Sequence, residues 1–96
     1  MKRFYPVAVH KDAESDFGMS PPDLPGCISA GATIEEAIEM IREAMEFHLE
    51  GMAEDGDLLP LPTTAEQWLH HEDFADAVAW AFVEVEVPEP AIAGAK

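Results

Sequence analysis

The stretch that decides the fold runs from Pro21 to Met52 and reads PPDLPGCISAGATIEEAIEMIREAMEFHLEGM. A turn rich in proline and glycine leads through a short extended segment into one long amphipathic pattern. Thr33 is a good N-cap, Glu36 stands at the capping-box position, and Gly56 suits a left-handed C-cap. These signals predict a helix over residues 34–54.

The predicted helix has one apolar face and one acidic face. Six apolar residues fall in a narrow sector when each residue turns the helix by about 100°. They are Ile34, Ile38, Ile41, Met45, Leu49 and Met52. Ala37 lies beside this sector and allows the helix to approach a sheet closely. We therefore expect this face to form the core.

A second apolar strip, here called the Phe47 strip, is rotated by about 120° from the core face. It consists of Met40, Ala44, Phe47 and Gly51. An isolated molecule would leave Phe47 partly in water, so either the C-terminal half of the chain or a second molecule has to cover the strip. These four residues are our candidates for contact with a partner or another subunit.

The rest of the chain predicts a small, mostly antiparallel sheet of three to four strands packed on the helix, an α/β fold of the α+β type. Residues 4–10 and 16–20 have the pattern of a hairpin with a polar link. Residues 27–30 predict a third short strand, and residues 77–87 predict the longest one. Residues 63–69 predict a short helix that begins at one of two threonines.

The predicted strand at residues 77–87 has an irregular pattern. Trp80 and Phe82 share one parity, whereas Val83 and Val85 share the other. The shift between Phe82 and Val83 predicts either a β-bulge or a strand that is buried first on both faces and later on one.

Composition narrows the class of protein. The 96 residues are 48% hydrophobic, which fits one packed domain. Twenty acidic and five basic residues give a net charge of −15. This charge disfavours nucleic-acid binding and favours a basic partner. The alternative is that the charge only keeps the protein soluble. Cys27 is the single cysteine, and neither a membrane span nor a signal peptide is evident. We predict a cytoplasmic protein without membrane association.

Few residues suggest chemistry. His48, His70 and His71 lack the spacing of metal ligands, so coincidence is favoured and the role of the His70–His71 pair stays open. Cys27 has no basic neighbour in sequence, which favours a buried structural thiol over a nucleophile. A two-metal nuclease centre needs acids inside strands, and the first strand has none. We predict no enzyme, no catalytic residue, no cofactor and no metal.

The turn before the helix is the most specific motif. Prolines there fix φ and remove donors, Gly26 permits a positive φ, and Leu24 is expected to plug the end of the sheet. The six residues of this signature turn are Pro22, Asp23, Leu24, Pro25, Gly26 and Cys27. Together with the later Gly31 and residues 33–37 (TIEEA), the turn resembles the HicB antitoxin family, whose N-terminal domain carries a PDLPGC…GxTxEEA signature. The match spans about residues 4–62, and the turn serves either structure or partner contact.

This resemblance implies a degraded ribonuclease-H-like fold without nuclease activity. It also implies a partner, a small basic RNA-cleaving toxin of the HicA type. Full-length members usually add a DNA-binding domain, so the chain is either a stand-alone form or the N-terminal domain of a longer protein. We expect one HicB-like domain over residues 1–88 and a flexible tail over residues 89–96. No DNA-binding domain and no direct nucleic-acid binding are expected in this chain.

The predicted function is that of an antitoxin in a type II toxin–antitoxin system, which binds and neutralises such a toxin. One alternative is an orphan oligomeric scaffold or regulator with the same fold and no toxin. A weaker one is a metal-dependent nuclease that uses Asp12 or Asp16. An exposed sheet edge and Phe47 further predict a homodimer or homotetramer. Which surface would meet another copy and which the toxin is left open.

Overall fold

The computed structural model describes residues 1–88, in which a four-stranded antiparallel sheet packs against one long helix. The order across the sheet is β3-β2-β1-β4, so β3 and β4 form its two edges. The elements are β1 (Lys2–His10), β2 (Phe17–Ser20), β3 (Ser29–Gly31), α1 (Ile34–Glu54) and β4 (Ala79–Glu86). The predicted α+β fold class is confirmed, while the expected tail at residues 89–96 lies outside the described residues.

Helix α1 has the predicted bounds because both of its ends are set locally. At the N-terminus, Thr33 Oγ1 accepts a hydrogen bond from Glu36 N at 3.1 Å. The Glu36 side chain reaches back one residue further than a standard capping box and accepts from Ala32 N at 2.6 Å. At the C-terminus, Gly56 takes a φ of 80° and donates to Ala53 O, and the next residue donates to the carbonyl of Met52. These two bonds form a Schellman motif.

The core lies between α1 and the inner face of the sheet. From the helix, Ala37, Ile41, Met45 and Leu49 are fully buried, and Ile38 and Met52 are partly buried against them. The strands contribute Tyr5, Val7, Val9, Met19, Val83 and Val85. Leu24 and Cys27 of the signature turn are buried in the same cluster, so the prediction that Leu24 plugs the sheet is confirmed. Ile34, in contrast, is 41% exposed in the first turn of the helix and lies outside the core.

The N-terminal half of α1 lies directly on edge strand β3. A Cβ atom added to Gly31 would be 2.5 Å from Ala37 N and 2.8 Å from Ala37 Cα. Gly31 therefore cannot carry a side chain without moving the helix backbone. This contact confirms the prediction that Ala37 allows close approach of the helix to the sheet.

Strand β4 runs beside β1 without interruption, from the pair Lys2–Glu86 to the pair Val9–Ala79. The bulge predicted between Phe82 and Val83 is therefore wrong, because the ladder keeps one register through both residues. Val83 faces the helix, and Phe82 belongs to the outer face of the sheet. The other interpretation, burial of the first half of the strand on both faces, is also wrong, because Trp80 is only half-buried, Ala79 is exposed and Phe82 is 58% exposed.

The outer face of the sheet is covered only in part by the segment between α1 and β4, which leaves Phe4 and Phe82 exposed. Tyr5 Oη donates a 2.6 Å hydrogen bond to Pro60 O and holds the start of this segment. The predicted helix over residues 63–69 is only a 3-10 helix (Ala65–Gln67), and a second one follows at Glu72–Phe74. Four aromatic rings then stack from this segment onto the sheet; they belong to Trp68, His71, Phe74 and Trp80. Among residues 1–88, no helix is long and apolar enough to cross a membrane.

Candidate partner-binding groove

The structure brings part of the Phe47 strip next to part of the signature turn. An open groove of about 470 Å³ lies between the C-terminal half of α1 and the end of the turn. It is called the turn groove below, and its lining residues are Gly26, Cys27, Ile28, Ala44, Phe47, His48, Gly51, Met52 and Asp55. Two sets of residues that are separate in sequence thus form one surface.

Two large apolar side chains in the turn groove are exposed to solvent. Phe47 is 78% exposed and Ile28 is 70% exposed. The C-terminal half of the chain, as far as residue 88, therefore leaves most of Phe47 uncovered. Met40, the remaining residue of the Phe47 strip, is 41% exposed and does not line the groove.

Ile28 was not among the sequence candidates, although a signal for it exists. Cys27 is buried at the start of an extended segment, and side chains in extended backbone point alternately to opposite sides. A buried Cys27 thus places Ile28 outside. Only the fold shows that this outside position is beside Phe47.

The turn side of the groove is held by hydrogen bonds from within the chain. The Asp23 carboxylate accepts from Thr63 N at 3.0 Å and from Thr63 Oγ1 at 2.9 Å. Thr63 Oγ1 in turn accepts from Trp68 Nε1 at 2.8 Å, which connects the turn to the aromatic rings of the outer face. Asp23 and Leu24 are thereby directed inward, whereas Pro25 and Gly26 remain exposed.

The surroundings of the turn groove are acidic, and its floor is apolar. Taking about 100° per residue, Glu43, Glu50 and Glu54 lie within about 60° of Phe47 around the helix axis, and Asp55 is part of the lining. No lysine or arginine lines the groove. Burial raises the pKa of the Cys27 thiol, so this group stays protonated and neutral at physiological pH. The groove thus offers a partner apolar contact and negative charge.

The other candidate residues have local structural contacts. His71 Nδ1 accepts a hydrogen bond from Asp73 N, and its ring lies 5.3 Å from the Trp68 ring. His70 is exposed and belongs to no assembled site. Within residues 1–88, no group of three or more His, Cys, Asp or Glu side chains is placed to hold a metal ion.

Comparison with known proteins agrees with this fold. Residues 5–91 match the model of a family described as HicB_like antitoxin of bacterial toxin-antitoxin system. The chain belongs to this family. The resemblance that the signature turn carries is thereby confirmed.

Three relatives illustrate the family relationship. An uncharacterised 14.9 kDa protein of Haemophilus phage HP1 is 39% identical over 74 residues, which are 77% of this chain and 55% of that protein. The chain thus spans about half the length of this relative. The crystal structure of the Burkholderia pseudomallei antitoxin HicB has a TM-score of 0.78 and 35% identity, over 98% of this chain and 76% of that one. A HicA3 and HicB3 toxin-antitoxin complex contains a chain with a TM-score of 0.67 and 25% identity, over 91% of this chain and all of that one.

Proposed function

We propose that this protein is an antitoxin that binds and neutralises a small basic toxin of the HicA type, without catalysing a reaction itself. Family membership supports the antitoxin role, and a similar chain is part of a HicA3 and HicB3 toxin-antitoxin complex. The observation that carries the proposal on this molecule is the turn groove, where a 78% exposed Phe47 is surrounded by carboxylates.

The physical properties of the turn groove match a basic partner. Burying a phenylalanine side chain contributes about 1.5–3 kcal/mol, so Phe47 and Ile28 provide a favourable apolar anchor once a partner covers them. The net charge of −15 attracts a basic protein over distance and accelerates its association. An RNA-cleaving toxin needs basic residues to bind phosphates, and an acidic partner placed over them would compete with RNA.

The test is a binding and RNA-cleavage assay with a small basic toxin of the HicA type, sought first in the reading frame beside this gene. The unmodified protein should bind this toxin tightly and protect RNA from cleavage. Phe47→Asp should weaken binding by about thirtyfold, the effect of losing a central aromatic contact worth about 2 kcal/mol. Phe82→Asp is the matched control, because Phe82 is also an exposed phenylalanine but lies at the other end of the sheet.

Each result of this assay has a distinct meaning. Failure of the unmodified protein to bind the toxin or protect RNA would contradict the proposal and favour an orphan scaffold or regulator. Binding that Phe82→Asp weakens and Phe47→Asp does not would keep the antitoxin role but place the contact elsewhere. A cytoplasmic location and the lack of direct nucleic-acid binding stay predictions, and a gel-shift assay with RNA and DNA tests the latter.

A further inference from the structure

The outer edge of β4 is open over a short, defined part of its length. Val87 N donates to Met1 O, and β4 keeps one register with β1 from Lys2–Glu86 onward. In an antiparallel ladder, residues alternate between bonding to the neighbouring strand and pointing away from it. The odd-numbered residues of β4 therefore bond to β1. The even-numbered residues direct their N–H and C=O groups to the free edge.

Two contacts from α1 agree with this alternation. Arg42 Nε donates to Glu84 O at 2.9 Å, and Glu86 N donates to Glu46 Oε2 at 2.7 Å. Both backbone groups belong to even-numbered residues, and both are satisfied from outside the sheet. The helix thus occupies the edge at its Glu84–Glu86 end.

The other end of β4 is closed in a different way. Val78 N donates to Val9 O at 2.7 Å, although Val9 is paired in the ladder with the next residue, Ala79. The Val78 N–H group therefore points toward β1 and is not available at the edge. Among residues 1–88, the segment from Trp80 to Phe82, here called the β4 edge, remains open with two outward N–H groups and two outward C=O groups. The outward N–H of Glu84 adjoins it, because only the carbonyl of Glu84 is bonded from the helix.

The chain segment that forms the β4 edge is apolar and carries no charge, and Asp76 and Glu84 flank it. The run from Ala77 to Val83 contains no ionisable residue, although 26% of the chain is charged. Phe82 is 58% exposed and Val78 is 60% exposed. Phe4, on the neighbouring strand β1, is also 58% exposed. Unpaired strand edges with exposed apolar side chains associate with other strands unless charge or proline prevents it.

We propose that two copies of this protein pair through their β4 edges in antiparallel fashion, around a two-fold axis at Ala81. In this register Trp80 lies opposite Phe82 of the partner subunit, and each such pair exchanges two backbone hydrogen bonds. All four outward groups of each copy are then satisfied. On the outer face, each Trp80 meets a phenylalanine across the strands, a favourable cross-strand pair. The two sheets join into one of eight strands.

Charge identifies a second copy as the occupant of this edge. Two molecules that each carry −15 repel each other unless they meet at an uncharged surface. The β4 edge is such a surface, whereas the turn groove with its carboxylates is not. The register around Ala81 also places Glu84 opposite Val78 of the partner subunit. Glu86 falls opposite Asp76 of the partner subunit, but it lies beyond the β4 edge, where Glu46 already accepts from its N–H group.

Light scattering of the full chain tests the pairing. At roughly tens of micromolar, where dimers of standard interface size persist, the measured mass should be twice that of one chain. Phe82→Lys should reduce the mass to one chain, because a charge at the centre of the β4 edge prevents strand pairing. Phe47→Lys is the matched control and should leave the doubled mass unchanged. Circular dichroism at a protein concentration low enough to dissociate the dimer should show that both variants are folded, because association stabilises only the paired form at higher concentration.

Amide hydrogen exchange tests the register without any substitution. In the unmodified protein, the amides of Trp80 and Phe82 should exchange about tenfold or more slowly at high than at low protein concentration. The amides of Ala81 and Val83 bond to β1 and should be protected equally at both concentrations. A mass of four chains that Phe82→Lys halves would also support pairing at this edge.

Three outcomes would overturn the proposal. They are a mass of one chain at every concentration, a doubled mass that survives Phe82→Lys, and a doubled mass that only Phe47→Lys abolishes. If Phe82→Lys leaves the mass unchanged but weakens toxin binding, the β4 edge receives a strand of the toxin instead. Self-pairing at the β4 edge does not depend on toxin binding at the turn groove. Phe82→Lys tests self-pairing and Phe47→Lys tests toxin binding, so each proposal can fail without the other.

Discussion

The two flanks of helix α1 differ in how they meet the sheet. On the β4 side, Arg42 and Glu46 bond to backbone groups of Glu84 and Glu86. On the β3 side, the flank carries Phe47 and leaves it 78% exposed beside the signature turn. One flank is closed by polar side chains of the chain itself, and the other remains apolar and open.

This difference shows that the acidic face of α1 is not one uniform solvated surface. Where the helix borders a strand edge, its polar side chains satisfy backbone groups that would otherwise attract another strand. Where it borders the signature turn, glutamates surround an apolar groove that nothing within residues 1–88 fills. The closed flank therefore limits strand association at the Glu84–Glu86 end of β4, and the open flank leaves an apolar groove free for a partner.

The largest loss of stability is expected from a substitution at Gly31, where the open flank of α1 rests on β3. Gly31→Ala should lower the free energy of unfolding by about 3 kcal/mol, because the new Cβ would lie 2.5 Å from Ala37 N. The matched control is Gly51→Ala, where an added Cβ meets nothing within 4 Å. That substitution should stabilise the helix by about 1 kcal/mol. Urea unfolding measures both changes, and equal effects of the two substitutions would contradict the close contact.

A smaller effect is expected for Asp23, which holds the turn side of the groove. Asp23→Ala removes the acceptor of two hydrogen bonds from Thr63, so the free energy of unfolding should fall by about 2 kcal/mol. Asp23→Asn is the control and should lose less, because its amide oxygen can still accept one bond. Trp68 fluorescence should change with Asp23→Ala, since Thr63 also binds the Trp68 ring nitrogen. Unchanged stability in both variants would show that the turn is held by packing alone.

The parts of the fold that follow from local signals are predictable from sequence. The bounds of α1 depend on Thr33, Glu36 and Gly56, all within a few residues of the helix ends, and the prediction of residues 34–54 is confirmed. The face that Phe82 takes depends on which side of the sheet receives the helix. It also depends on rings from a distant segment that cover Trp80. Periodicity alone contains neither fact, which is why the bulge was wrongly predicted.

The candidate groove was predictable only in part, for a similar reason. Spacing along one helix is enough to place Ala44, Phe47 and Gly51 on a common strip. The groove also needs Ile28, which approaches the strip through the path of the signature turn and the pairing of β3 with β2. Such contacts between distant segments depend on the tertiary fold. The same holds for the edge of β4, where α1 selects which backbone groups stay open.

A modest loss of stability is expected when the contact between Arg42 and β4 on the closed flank is removed. Arg42→Met keeps the apolar stem of the side chain but removes its bond to Glu84 O. The free energy of unfolding should fall by about 1 kcal/mol or less, because the freed carbonyl can turn to water. Glu39→Gln is the control, since it removes only the exposed ion pair with Arg42 and should cost less than about 0.5 kcal/mol. A larger loss from Glu39→Gln would show that the ion pair, and not the edge contact, matters.

The smallest effect on stability is expected from Cys27, at the floor of the turn groove, and it appears only at high pH. Burial raises the pKa of this thiol above its ordinary value. The folded chain therefore keeps the proton at a pH where the thiol of the unfolded chain has lost it. Below the unfolded pKa of about 8.5, both states are protonated and Cys27 contributes no pH dependence. As the pH rises above that value, the unfolded state is favoured and stability falls.

Comparison of the unmodified protein with Cys27→Ala isolates this contribution. Other groups that titrate at high pH are common to both proteins and cancel in the difference. Between pH 7 and pH 10, the free energy of unfolding should therefore fall more for the unmodified protein than for Cys27→Ala. Alkylation by iodoacetamide should also be slower in the folded than in the urea-unfolded chain, because the thiolate is the reactive form. Equal alkylation rates, or parallel pH curves, would mean that the floor of the open flank is wet and that the groove is less apolar than its lining indicates.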